Sequence, residues 1–130
     1  MELRRPTLAD KETVLDMMAE FEATQSAHDG GFWDAENFNY EEWLETNHNK
    51  EMGIGLPENR VPSIQFVSFD DVGRAIGFLN LRLRLNEGLL NHAGHIGYSI
   101  RPSERGKGYA KEALRQGLQV AKEKNIKRAL

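Results

Sequence analysis

The apolar positions of this chain change period several times, and each change marks an element. Residues 2–5, ELRR, form a short strand candidate. Thr7, with Asp10 three residues on, makes an approximate capping box. Leu8, Val14, Leu15, Met18 and Phe21 then recur at helical spacing and predict a helix over 8–22. Residues 24–38, TQSAHDGGFWDAENF, lack periodicity and read as loop. Asn39 and Glu42 repeat the capping pattern ahead of a short helix carrying Tyr40, Trp43 and Leu44. The glycines and prolines of GIGLPENRVP, 53–62, end that helix and forbid a regular strand.

The second half reads differently. IQFVSF at 64–69 suits a strand, and DDVG suits the turn after it. Over 75–86 the leucines at 79, 81, 83 and 85 alternate with Asn80, Arg82, Arg84 and Asn86, which predicts a half-buried strand in a mostly antiparallel sheet. Its two arginines either reach a ligand or line a solvated face, and the solvated face is the simpler account. HIGYSI at 95–100 is the next strand, with Gly97 marking a bulge or a close backbone approach. A last helix is expected over 108–124, with Ala110, Ala113, Leu114, Gly117, Leu118 and Ala121 inward and Lys111, Glu112, Arg115, Gln119 and Lys122 outward. Residues 127–130 look like the first of another strand. The whole predicts one α/β (α+β) domain over 1–130, a mixed, mostly antiparallel sheet flanked by helices.

Composition changes this picture little. A hydrophobic fraction of 39% and a charged fraction of 28% are those of an ordinary globular protein. No apolar run approaches the ~20 residues of a membrane span, and MELRRPTLAD lacks a signal peptide's apolar core, so a cytoplasmic protein with no membrane partner is expected. The absence of cysteine excludes disulfides, thiolate metal sites and cysteine nucleophiles. Charge adds more. Residues 1–60 hold fourteen acids against five bases, and residues 61–130 hold six against twelve. The basic half suits a polyanion and the acidic half a cation, unless both are merely solvated. The bases gather at one turn and helix of an acidic chain, which argues against nucleic acid.

That turn lies within IGYSIRPSERGKGYAKEALRQGL, residues 96–118. A strand leads into it and an amphipathic helix leaves it. A helix start offers unpaired N–H groups and the positive end of the macrodipole, a ready site for phosphate. Gly106 and Gly108 remove side chains that would hold a phosphate away, and Arg105, Lys107, Lys111 and Arg115 are near enough to add charge. Tight packing of Gly108 and Ala110 against the sheet is the alternative reason for small residues there. Pro102 keeps Arg101 out of helix, so an extended turn is expected. Lys107 precedes Gly108, which is the wrong order for a Walker loop. Lys111 stands where a dinucleotide fingerprint needs its third glycine.

The segment from Arg105 to Ala110 reads R-x-x-G-x-A, which resembles the acyl-CoA-binding signature [QR]-x-x-G-x-[GA] of the GNAT superfamily of N-acetyltransferases. The order of the other elements agrees, and the resemblance spans nearly the whole chain, most specifically 94–121. It implies acetyl-CoA as co-substrate. The pyrophosphate would rest on the backbone N–H groups of Gly106, Lys107, Gly108, Tyr109 and Ala110 and on the Arg105 side chain. The pantetheine arm would pair with backbone groups of Tyr98, Ser99 and Ile100. The implied reaction is direct attack of a primary amine, of a small molecule or a peptide, on the thioester through a tetrahedral intermediate. A non-catalytic CoA-binding regulatory module is the alternative.

Such attack needs a base for the amine proton and backbone donors for the oxyanion. Superfamily members often carry a glutamate near the start of the strand before the turn, and the matching position here is His95, a suitable base or else a structural histidine. His92 and His95 have no third ligand in view, so no metal is expected. His28 and His48 sit in apparent loops. The acceptor region in relatives follows the first helix; here it holds Phe32, Trp33, Phe38, Tyr40 and Trp43 among carboxylates, although Tyr40, Trp43 and Leu44 suit the buried face of a helix equally well. The resemblance also implies further strands and a tyrosine acid beyond Leu130, hence a domain incomplete at its C-terminus, truncated before the last strands. The sheet edge this leaves suggests a homodimer.

Overall fold

The computed structural model describes residues 1–31, 33, 36–55, 62–82 and 96–123. Its elements are β1 (Glu2–Arg4), a 3-10 turn (Leu8–Asp10), α1 (Lys11–Ala23), α2 (Tyr40–Met52), β2 (Ser63–Phe69), β3 (Ala75–Arg82), β4 (Ile96–Ile100), a second 3-10 turn (Pro102–Glu104) and α3 (Tyr109–Glu123). The four strands form one sheet in the order β1-β2-β3-β4, with every neighbouring pair antiparallel.

The starts of the helices follow local chemistry. The Thr7 N–H donates to Asp10 Oδ2 at 2.8 Å, closing the 3-10 turn that leads into α1. The Glu42 N–H donates to Asn39 Oδ1 at 2.9 Å, capping α2. Asp10 is itself buried, and Arg4 grips it through two bonds of 2.7 and 2.9 Å. That guanidinium, working against the cost of burial, holds the carboxylate below its usual range. α2 runs to Met52, so His48 lies on a helix and not in a loop.

Opposite faces of the sheet carry separate cores. Val14, Met17 and Phe21 of α1 and Tyr40 and Trp43 of α2 pack on Val67, Phe69 and Phe78. Ala113 and Ala121 of α3 pack on Ile64, Phe66, Leu79 and Leu81. The half-buried strand expected over 75–86 is therefore covered on both faces from Ala75 to Leu81. Asn80, expected in solvent, is buried and donates to Ser63 Oγ and to Gln65 Oε1 at 3.3 Å each. Pairing makes this tolerable, because a buried amide without partners would be costly. Residues 83–86 lie outside the described residues. Leu8, expected in the first apolar stripe, is 63% exposed because the 3-10 turn places it outside the α1 period.

Candidate active site

β4 is the last strand of the described sheet. The Arg101 N–H donates to Ile76 O at 2.9 Å, and Ile100 stands opposite Gly77 and Ser99 opposite Phe78. Antiparallel pairs alternate between bonded and non-bonded residues. Ser99 and Gly97 therefore turn their backbone groups toward β3, while Ile100, Tyr98 and Ile96 turn theirs to the outer edge. Ser99 makes a different contact, its Oγ donating to Asp29 O at 2.7 Å. Gly97 causes no irregularity in the register with β3, and of its two expected roles the close approach is the one present.

The turn after β4 is built for exposure. Instead of running extended from Arg101 it closes one 3-10 turn over Pro102–Glu104. Gly106 and Gly108 take φ of +81° and +84°, which L side chains rarely adopt. A Cβ at either position would meet nothing within 4 Å. Close packing is thus no reason for these glycines; backbone conformation and open space are. Ala110 is likewise exposed and does not belong to the buried stripe of α3, which begins at Ala113. The Glu112 N–H reaches Gly108 O at 3.2 Å as the first helical bond, so the N–H groups from Gly106 to Lys111 precede the helical ladder and lack its partners. Arg105 folds back, with Nε donating to Ile100 O at 2.8 Å and Nη2 to Ser26 Oγ at 2.7 Å. Lys107 pairs with Glu104 at 3.2 Å and Arg115 with Glu112 at 2.6 Å. Lys111 is exposed and has no ion pair among the described residues.

The residue that anchors this turn is one that sequence reasoning passed over. Arg101 is only 3% exposed. Its Nη2 lies 2.9 Å from Asp16 Oδ2 and 2.8 Å from Glu20 Oε1, and its Nη1 donates to Ala75 O at 3.1 Å. Glu20 also accepts from the Ser103 N–H at 2.7 Å and the Ser103 hydroxyl at 2.8 Å. Burial alone would raise the Glu20 pKa; the bonds from Arg101 and Ser103 outweigh it and bring it to about 2. The same carboxylates keep Arg101 charged despite its burial. One carboxylate of α1 thus holds both the end of β4 and the turn. The signal for it was Pro102, which fixes Arg101 in an extended conformation pointing across the sheet end.

A cleft of about 780 Å³ opens beside β4, lined by His28, Asp29, Gly30, Arg82, Gly97 and Tyr98 among others. Its far wall is the segment after α1, laid directly on β4. A Cβ on Gly30 would stand 2.2 Å from Gly97 O, and one on Gly97 would stand 3.3 Å from Gly30 N. Gln65 Nε2 donates to Gly30 O at 2.6 Å. The His28 ring stacks on Trp33 at 3.8 Å and meets Phe21 edge-on at 6.1 Å. Tyr40 and Trp43, the candidate acceptor aromatics, are core side chains, and Phe38 packs partly buried against them. His95, His92, Phe32 and Asp34 lie outside the described residues. Among the described residues no three His, Cys, Asp or Glu side chains gather as a metal site would require.

The fold is that of the GNAT acyltransferases. A family described as the acetyltransferase (GNAT) domain matches residues 1–130, and the chain belongs to that family. A search of curated proteins finds no match. Among solved structures, a point mutant of spermidine N-acetyltransferase from Vibrio cholerae is similar in fold, with a TM-score of 0.52 and 18% identity. The similarity covers 93% of this chain and 63% of that one, so the chain spans less than two thirds of its length.

Proposed function

We propose that this chain binds acetyl-CoA along β4 and the 105–110 turn and takes part in transferring the acetyl group to a primary amine. One observation carries the reading: N–H groups without helical partners at the start of α3, flanked by two glycines whose missing side chains leave open space. A diphosphate fits such an end, because donors and helix dipole act together and nothing obstructs the approach. In this reading the N–H groups of Gly106, Lys107, Gly108, Tyr109 and Ala110 hold the diphosphate. Arg105 braces Ile100 O and borders the same turn. Tyr98 and the N–H of Ile100, whose carbonyl is taken by Arg105, offer the open edge to the pantetheine amides, and Ser99 contributes by fixing the Asp29 segment rather than by its backbone.

Acetyl-CoA supplies an activated acyl group; the protein supplies position and proton transfer. The nitrogen must arrive beside β4, where the cleft is. Asp29 in its lining and the acidic first half of the chain favour a cationic amine. His95 is the base expected from the family pattern, and a single acyltransferase domain over 1–130 is the arrangement that the family match supports. No described helix is long and apolar enough to cross a membrane.

The test is thiol release from acetyl-CoA with polyamines, aminoglycosides, amino acids and peptide N-termini as acceptors, alongside calorimetric titration with CoA. Turnover with one class and saturable CoA binding are expected. CoA binding that Gly108→Val leaves unchanged in a folded protein would remove the site, and with it the function.

A further inference from the structure

His28 is held more firmly than a loop histidine needs to be. Its Nδ1 lies 2.8 Å from Gly31 O. A carbonyl oxygen only accepts, so Nδ1 carries a hydrogen, and in the neutral ring Nε2 holds the lone pair. Trp33 stacks on one side of the ring and Phe21 meets it edge-on. Trp33 is itself fixed by Nε1 donating to Glu22 Oε1 at 3.0 Å. The segment carrying the ring is fastened to the sheet at three more points: Gly30 against Gly97, Gly30 O on Gln65 and Asp29 O on Ser99. All of this orients one imidazole in the wall of the cleft beside Gly97 and Tyr98. Nε2 has no hydrogen-bond partner among the described residues. Among the described residues, the charged or titratable groups sharing that cleft are Asp29, Arg82 and Tyr98.

Resting on the transfer reaction proposed above but replacing His95 as its base, we propose that His28 Nε2 is the acceptor for the proton of the attacking amine, directly or through one water. The substrate ammonium gives a proton to Nε2, and the neutral nitrogen forms its bond to the acetyl carbonyl carbon. The carbon–sulfur bond breaks with its electron pair on sulfur. The nitrogen loses a second proton as the amide forms, and the sulfur takes one. The products are the acetamide, the thiol and one proton released to solvent. Gly31 O keeps the accepting nitrogen in the correct tautomer throughout, since a proton gained at Nε2 leaves the Nδ1–H bond intact.

The variant His28→Asn retains a donor for Gly31 O but has no Nε2. In it, CoA affinity stays near wild type and thermal stability falls only by the lost Trp33 and Phe21 ring contacts, while kcat with a cationic amine falls about 100-fold or more. Imidazole added to His28→Gly restores part of the rate, which a purely structural histidine would not allow. An activity-free readout is the side-chain ¹⁵N spectrum of His28, expected to show the Nδ1–H tautomer. The outcomes separate cleanly. A wild-type chain that does not bind CoA sinks the proposed function and this inference together. CoA binding with no turnover on any amine overturns the inference and the transfer step, leaving only the CoA site. The inference alone is overturned by turnover undiminished in His28→Asn, by turnover abolished in His95→Asn but not in His28→Asn, or by an Nε2–H tautomer in the spectrum.

Discussion

Two pairs of glycines border β4, and they are glycines for opposite reasons. Gly106 and Gly108 stand in empty space with left-handed backbones. Gly30 and Gly97 stand where two backbones touch, and Gly30 is left-handed as well. The first pair makes room for something outside the chain, and the second removes room inside it. Both readings are compatible with a bare glycine in the sequence, so the residue type alone does not tell a ligand cradle from a close contact.

Gly30→Ala strains the comparison hardest. Its methyl would stand 2.2 Å from Gly97 O at φ +80°, so a loss of about 3 kcal/mol or more is expected, read as a fall in the urea midpoint. Gly106→Ala is the matched control. It meets only the conformational cost, about 1–2 kcal/mol, and a loss equal to that of Gly30→Ala would erase the distinction.

Arg101→Leu comes next. It leaves Glu20 and Asp16 facing the sheet end without their cation, and a loss of about 2–3 kcal/mol is expected, less than for a fully buried pair because Asp16 is largely exposed. CoA binding should weaken as well, since the turn loses its anchor. Retained stability would show that the turn holds itself.

Gly108→Val tests the other pair. Nothing packs at its Cβ position, so the fold should lose only about 1–2 kcal/mol, whereas CoA affinity should drop tenfold or more in calorimetry. The reverse ranking would mean that the turn serves folding and not a ligand.

The smallest effect is that of pH. Glu20 has a folded pKa of about 2, below its ordinary value of 4.5. Its contribution is therefore complete above about pH 4.5 and is lost as pH falls toward 2. In Glu20→Gln the acid limb of a stability–pH curve should flatten over that window. An unchanged limb would place acid sensitivity elsewhere, Asp10 being the next carboxylate held low.

Much of the frame is legible in the sequence. The capping pairs Thr7–Asp10 and Asn39–Glu42 mark real helix approaches because they act over three residues. Strand-like runs and the turns between them located β2 and β4, alternation located β3, and the Arg105–Ala110 signature led to the family that matches the whole chain. What failed was anything needing distant partners. Asn80 and Arg101 are polar in sequence and buried in the fold, and only α1, β2 and the sheet end supply their bonds. His28 looked like one more loop residue, because Trp33, Phe21 and β4 are brought to it by packing.

The sequence by itself determined the elements, their order and the glycine-marked turn, since short-range sterics and periodicity suffice for these. Tertiary structure alone decided which polar side chains are buried and which glycines are contacts. It also placed His28 in the wall of the cleft. Those properties depend on residues from different elements meeting in the fold, such as Asn80 with Ser63, Asp29 with Ser99 and Glu20 with Arg101. No local pattern encodes such a meeting.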